Sequence, residues 1–134
     1  MKAFVKLLVP LVLLSTAAPA LAQQAPKVGD PVFAQWKKDD WYHGRVTKKS
    51  AEGFHITFDD GDKAVVGPRR IALDRVPPKS EVQLGTRVVA RWKADGRFYP
   101  GKIDEIGSDG RYRIKFEDGD VGHARIKDIR PTLK

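Results

Sequence analysis

The stretch ITFDDGD, Ile56 to Asp62, returns almost letter for letter as IKFEDGD, Ile114 to Asp120, 58 residues further on. An aromatic ring followed by an acidic, glycine-broken run, written twice, marks an internal repeat. Working outward, VGDPVFAQWKKDDWYHGRV (Val28 to Val46) aligns with LGTRVVARWKADGRFYPGKI (Leu84 to Ile103). Gly29, Ala34, Trp36, Lys37, Asp39 and Gly44 then meet Gly85, Ala90, Trp92, Lys93, Asp95 and Gly101. The offset is 56 at Trp36/Trp92, 57 at Gly44/Gly101 and 58 at Phe58/Phe116, so the second copy carries two single-residue insertions. They fall near ADGR and SDGR, polar and glycine-bearing segments where hairpin loops belong.

Between these turns the apolar residues recur with period two: Val32, Ala34, Trp36; Tyr42, Gly44, Val46; Phe54, Ile56, Phe58. The second copy repeats the pattern at Val88, Ala90, Trp92; Tyr99, Gly101, Ile103; Tyr112, Ile114, Phe116. Alternation bounded by Asp-Gly and Lys-Asp turns predicts strands, and no window has a helical period. A fourth strand is expected at 62–66 and 120–124, and a short fifth near 71–76 and 126–130. Four or five short strands per copy are marginal as an open sheet, so each copy should close into a small, bent barrel. The expected fold is all-β: two tandem, small, five-stranded SH3-like barrels at 28–76 and 84–131, joined by a linker at 77–83.

The first 22 residues stand apart. Two lysines precede an apolar run, Leu7 to Leu14, and Ala20-Leu21-Ala22 ends the stretch, the pattern of a secretory signal peptide of bacterial form. Pro10, Ser15, Thr16 and Pro19 interrupt the run, which falls short of the roughly 20 apolar residues of a membrane span. The expectation is an exported protein, periplasmic or secreted, with no membrane span after cleavage. Loss of Lys2 and Lys6 with the signal leaves 23 basic against 17 acidic groups. The chain has no cysteine, so neither a disulfide framework nor thiolate chemistry is available to it.

The repeated aromatics share one end of each barrel. Trp36/Trp92 end the first strand, Tyr42/Tyr99 begin the second, and Phe58/Phe116 end the antiparallel third. Three rings should therefore meet at one mouth, with the acidic turn at Asp60/Asp118 beside them. Such rings next to a carboxylate suit a bulky, weakly hydrated cation; equally, they can simply cap two very small cores. The stretch VVARWKADGRFYPGKIDEIGSDGRYRIKFEDGD resembles a Tudor domain, most nearly the first repeat of the p53-binding-protein tandem Tudor family. The shared pattern is W-x-x-x-G-x-(F/Y)-Y-x-G-(K/R)-(I/V) followed by F-(D/E)-D-G. The resemblance implies a non-enzymatic module that reads methyl-lysine through an aromatic cage. It maps the ligand-binding cage onto Trp36, Tyr42, Phe58 and Asp60, and onto Trp92, Tyr99, Phe116 and Asp118. Where that family has a tyrosine after the glycine, this chain has Asp62 and Asp120. A more polar cage shifts the expected ligand toward lower methylation states, methylated arginine, or plain lysine or arginine on a peptide or protein.

Two other readings stay open. Outward bases such as Arg91, Lys93, Lys102, Arg113 and Lys115, with an exposed Trp41 to stack on a base, would suit weak binding of nucleic acid or an anionic envelope polymer. By fold analogy alone, an SH3-like barrel in an exported protein also suits an envelope adaptor. An enzyme fits least: His43, His55 and His123 do not repeat, Ser50, Ser80 and Ser108 fall in expected loops, and no metal-ligand spacing is present. No cofactor and no metal are expected. The DDGD and EDGD runs lack the EF-hand spacing and read as two-residue hairpin turns.

Overall fold

A computed structural model describes residues 23–38 and 40–134; the segment read as a signal peptide and Asp39 lie outside the described residues. The fold is all-β, with two five-stranded antiparallel sheets, each curled into a small SH3-like barrel. The first contains β1 (Pro31–Gln35), β2 (Trp41–Ser50), β3 (Gly53–Phe58), β4 (Lys63–Val66) and β5 (Ile71–Leu73), in the order β4-β3-β2-β1-β5. The second contains β6 (Arg87–Arg91), β7 (Phe98–Ile106), β8 (Arg111–Phe116), β9 (Val121–Arg125) and β10 (Ile129–Pro131), in the equivalent order. Among the described residues no helix is long and apolar enough to cross a membrane.

The alternating residues build the two cores. Val32, Ala34, Val46, Phe54, Ile56, Phe58, Val66 and Ile71 form one; Val82, Val88, Ala90, Ile103, Tyr112, Ile114, Phe116 and Ile129 form the other. Each large aliphatic side chain so buried stabilises by about 1.5–3 kcal/mol. A bulge between Val46 and Lys48, repeated between Ile103 and Glu105, bends the long second strand of each barrel. Gly44 and Gly101 sit where that strand crosses its neighbour. A Cβ at 44 would lie 2.6 Å from the Thr57 carbonyl oxygen, and one at 101 would lie 2.7 Å from that of Lys115.

The two insertions lie in loops. The Trp36 N–H bonds the Asp40 carbonyl across its loop, whereas the Trp92 N–H bonds that of Arg97, one residue further. Ala51 and Glu52 separate the paired Ser50 and Gly53, whereas Ser108, Asp109 and Gly110 separate Gly107 from Arg111, whose carbonyl the Gly107 N–H bonds. Three local expectations need correction. The DDGD turn has a three-residue loop, not two: Gly61 donates to the Phe58 carbonyl, Phe58 to that of Asp62, and Gly61 takes φ +93°, which absorbs the extra residue as a bulge. The second strand runs on to Ser50, beyond Val46, because the bulge lets pairing continue. The fifth strands are shorter than expected: Ile126–Asp128 is a 3-10 turn, as is Pro68–Arg70, and pairing starts at Ile129 and Ile71.

A third apolar cluster lies between the barrels, formed by Trp41, Ala72, Val89 and Phe98 with Phe33 packed against it. Phe33 and Val89 occupy matching positions of the repeat, and so do Trp41 and Phe98. The seam is therefore pseudo-twofold, the arrangement by which two copies of one domain pack through the same patch. Trp41, expected to be exposed, is buried here at 8% exposure, which corrects its reading as a platform for bases. Phe33 stacks on Phe98 with centroids 4.3 Å apart, and Arg91 and Arg130 place their guanidinium groups 5.1 and 5.6 Å from the Phe98 ring centre. The buried Arg130 donates through Nε to Asp74 at 2.9 Å and through Nη1 to the Lys127 carbonyl at 2.7 Å, so the charge entering the seam is paired. His43 borders the seam, with Nδ1 2.7 Å from Asp59 and Nε2 3.2 Å from Asp74. Beyond β10, Thr132 bridges to Ala72, and Leu133 packs on the first core, so the last residues of the second barrel bind the first. Within 77–83, Val82 belongs to the second core, and Glu81 pairs with Arg75 at 3.2 Å.

Candidate cation cleft

Where β1 ends and β2 begins, the first barrel opens into a cleft of about 330 Å³, lined by Trp36, Lys37, Asp40, Tyr42, Phe58, Asp60 and Asp62. Pairing of Ala34 with Tyr42, and of Gly44 with Phe58, brings these rings to one end of the sheet. Phe58 is buried and forms the floor. Trp36 meets its ring edge to face at 5.1 Å and 84°, and Tyr42 does so at 6.4 Å and 85°. Tyr42 is 39% exposed and Trp36 partly buried, so both rings keep surface open toward the cleft.

Three carboxylates and one ammonium line the cleft, which favours cations. Asp60 Oδ1 accepts the Asp62 N–H at 2.9 Å, which fixes the turn and one carboxylate with it. Gly61 supplies the positive φ that this turn requires. Two cations of the chain itself already address the rings: Lys37 Nζ lies 5.6 Å from the Trp36 ring centre, and the Arg97 guanidinium, reaching across from the second barrel, lies 5.9 Å from that of Tyr42. Sequence reasoning named Trp36, Tyr42, Phe58 and Asp60 for this site and noted Asp62. It missed Asp40, whose only signal was its place at the end of the KKDD loop, and Arg97, which reaches the site only through the packing of the barrels.

The second barrel arranges its equivalents differently. Trp92 meets Phe116 edge to face at 5.4 Å, and Tyr99 packs against the same core. The Tyr99 hydroxyl donates to the Asp95 carboxylate. That bond, followed by the Arg97 backbone N–H, holds the Asp95 carboxyl below the usual carboxylate range, and the same bond raises the Tyr99 phenol. Asp118 Oδ1 accepts the Asp120 N–H at 2.9 Å, as Asp60 does with Asp62. On β9 the residue facing the tryptophan is Gly122, and a Cβ there would lie 3.0 Å from both Trp92 Cζ3 and Phe116 Cε2. Trp92 has settled onto that bare backbone. The matching position on β4 is Ala64, which packs with Trp36 against the first core.

Among the described residues no group of three His, Cys, Asp or Glu side chains is placed to hold a metal ion. Residues 82–128 match the protein family described as "Histone methyltransferase Tudor domain 1". The chain is 39% identical over 62 residues to human PHD finger protein 20 and 41% identical over 62 residues to its mouse counterpart. Each alignment covers 44% of this chain and 6% of the relative, so the chain spans a small part of those proteins. Among solved structures, the extended Tudor domain TD3 from mouse TDRD1, in complex with a MILI peptide containing dimethylarginine 45, shares 16% identity at a TM-score of 0.40. That alignment covers 84% of this chain and 55% of the other, a likeness too distant to bear on the site. From Val82 to Asp128, nearly all of the second barrel, the chain is thus similar in sequence to Tudor domains.

Proposed function

We propose that this protein is a non-enzymatic binding module that takes the cationic side chain of a peptide or protein, lysine or arginine with or without methyl groups, in the acidic cleft of its first barrel. The observation that carries this reading is the convergence of Trp36, Tyr42 and Phe58 with Asp40, Asp60 and Asp62 around one opening. Partial methylation enlarges the cation and weakens its hydration while leaving an N–H to donate. The rings then attract the charge and a carboxylate accepts the proton. Trp36 is the principal wall, Tyr42 the second, and Asp60 and Asp62 the acceptors. The second set, Trp92, Tyr99, Phe116 and Asp118, is the weaker candidate, because Trp92 rests on Gly122 and the Tyr99 hydroxyl is committed to Asp95. The similarity of residues 82–128 to Tudor domains supports a binding rather than catalytic role.

The test is an NMR titration of the purified protein against one peptide carrying, in turn, lysine, its methylated forms, arginine and dimethylarginine. Shifts centred on the Trp36 indole, lost in Trp36→Ala with the barrel still folded, support the reading. Shifts confined to outward lysines and arginines and erased by salt refute it. Our reading also makes the protein an exported one, and intact mass of the secreted product should begin at Gln23.

A further inference from the structure

We propose that the first barrel carries a second docking site, a basic groove along β4 that adds an extended acidic peptide as a further strand. The groove holds about 520 Å³ and shares Trp36 and Lys37 with the cation cleft as a common wall. Its charge is the reverse of the cleft's: Lys37, Lys38, Lys63 and Arg70 line it, with no carboxylate. Two clefts of opposite sign therefore meet at one tryptophan.

The backbone of β4 explains why the occupant is a peptide. β4 stands at the end of its sheet and pairs only with β3. The hydrogen-bonded closure of Phe58 with Asp62 sets the ladder's phase. Ala64 and Val66 therefore turn their N–H and C=O groups toward β3, and Lys63 and Val65 turn theirs outward. No turn or loop hydrogen bond among the described residues uses the backbone of Lys63 or Val65. A free edge with alternating donors and acceptors matches another polypeptide backbone, whereas phosphates only accept. Val65, 45% exposed, adds an apolar contact for one side chain of the incoming strand. The four cations select carboxylates at its alternate positions. Burial of Trp41 in the seam removes the aromatic platform that a nucleic-acid strand would have needed.

This site stands without the cation cleft, and a peptide with no lysine or arginine tests it alone. The probe is a six-residue strand alternating glutamate with valine and threonine, titrated into the purified protein by NMR. We expect shifts at the Trp36 indole and at the Lys63 and Val65 amides, with slowed hydrogen exchange at those amides. Lys63→Glu combined with Arg70→Glu should weaken binding about tenfold or more. Val65→Pro removes only an outward N–H at a sheet edge, a tolerated place for proline, and should weaken binding without unfolding the barrel. Independently of any variant, a peptide N-methylated at the positions that face β4 should lose affinity for the unaltered protein. Equal binding of the N-methylated peptide, or of a single-stranded oligonucleotide of the same charge, would overturn the proposal and leave a general anion patch.

Discussion

Truncation of Phe98 to alanine tests whether the seam joins the barrels into one cooperative unit. The ring is 8% exposed, stacks on Phe33 at 4.3 Å, and carries the guanidinium groups of Arg91 and Arg130 near its ring. Removal of a phenyl ring from a closed core costs about 3–5 kcal/mol. The lower end applies here, about 3 kcal/mol, because two separate barrels can shift to narrow the gap left behind. Of that, stacking on Phe33 contributes about 0.5–1.5 kcal/mol beyond burial, which a double-mutant cycle with Phe33→Ala would isolate. The assay is equilibrium unfolding in urea, followed in parallel by far-ultraviolet circular dichroism and tryptophan fluorescence. At a slope of about 1.5 kcal/mol/M the midpoint should fall by roughly 2 M. The two probes should coincide in the unaltered protein and separate in Phe98→Ala, as Trp41 loses its apolar surroundings before the barrel cores melt. A loss below about 1 kcal/mol, with coincident probes in both proteins, would refute the seam as a cooperative core.

Three further outcomes follow from the geometry. Gly101→Ala, which forces a methyl to within 2.7 Å of the Lys115 carbonyl oxygen, should destabilise by about 3 kcal/mol in thermal or urea unfolding; Gly119→Ala, facing open space at φ +95°, should cost only about 1 kcal/mol. Lys37→Gln removes a like charge from the acidic cleft and a cation from the basic groove, so by calorimetry it should strengthen a cationic peptide about threefold and weaken an acidic one. The Tyr99 phenol, raised by its bond to Asp95, should ionise above the ordinary tyrosine range, and Asp95→Asn should return it there in an alkaline optical titration. Because the folded value is the raised one, the bond's contribution to stability is present below the unfolded phenol's pKa and lost as pH rises through the folded one.

The repeat, its two insertions, the all-β class and the five-strand order of business in each copy were legible in the sequence because strands write a period of two and hairpins write Asp-Gly. The same pattern located both rings at the mouth, Trp36 and Tyr42, since side chains at strand ends keep the phase of their strand. What period two cannot express is a strand buried on both faces. Phe33, Val89, Trp41 and Phe98 fall out of phase with their own barrel core, and read alone they look like exposed apolar residues. Only a second barrel placed against them gives them a partner. The VFA and VVA runs, apolar at three successive positions, and the adjacent aromatics Trp41-Tyr42 and Phe98-Tyr99 are its written trace. Tertiary structure likewise decided how the two aromatic sets differ. Two aromatic sets with the same letters diverge because Trp92 rests on Gly122, because the Tyr99 hydroxyl bonds Asp95, and because Arg97 reaches Tyr42 only across the seam. The sequence by itself determined the parts and their spacing along each strand. Contacts between residues far apart in the chain decided which faces are buried and which remain open, since burial is a property of neighbours in space.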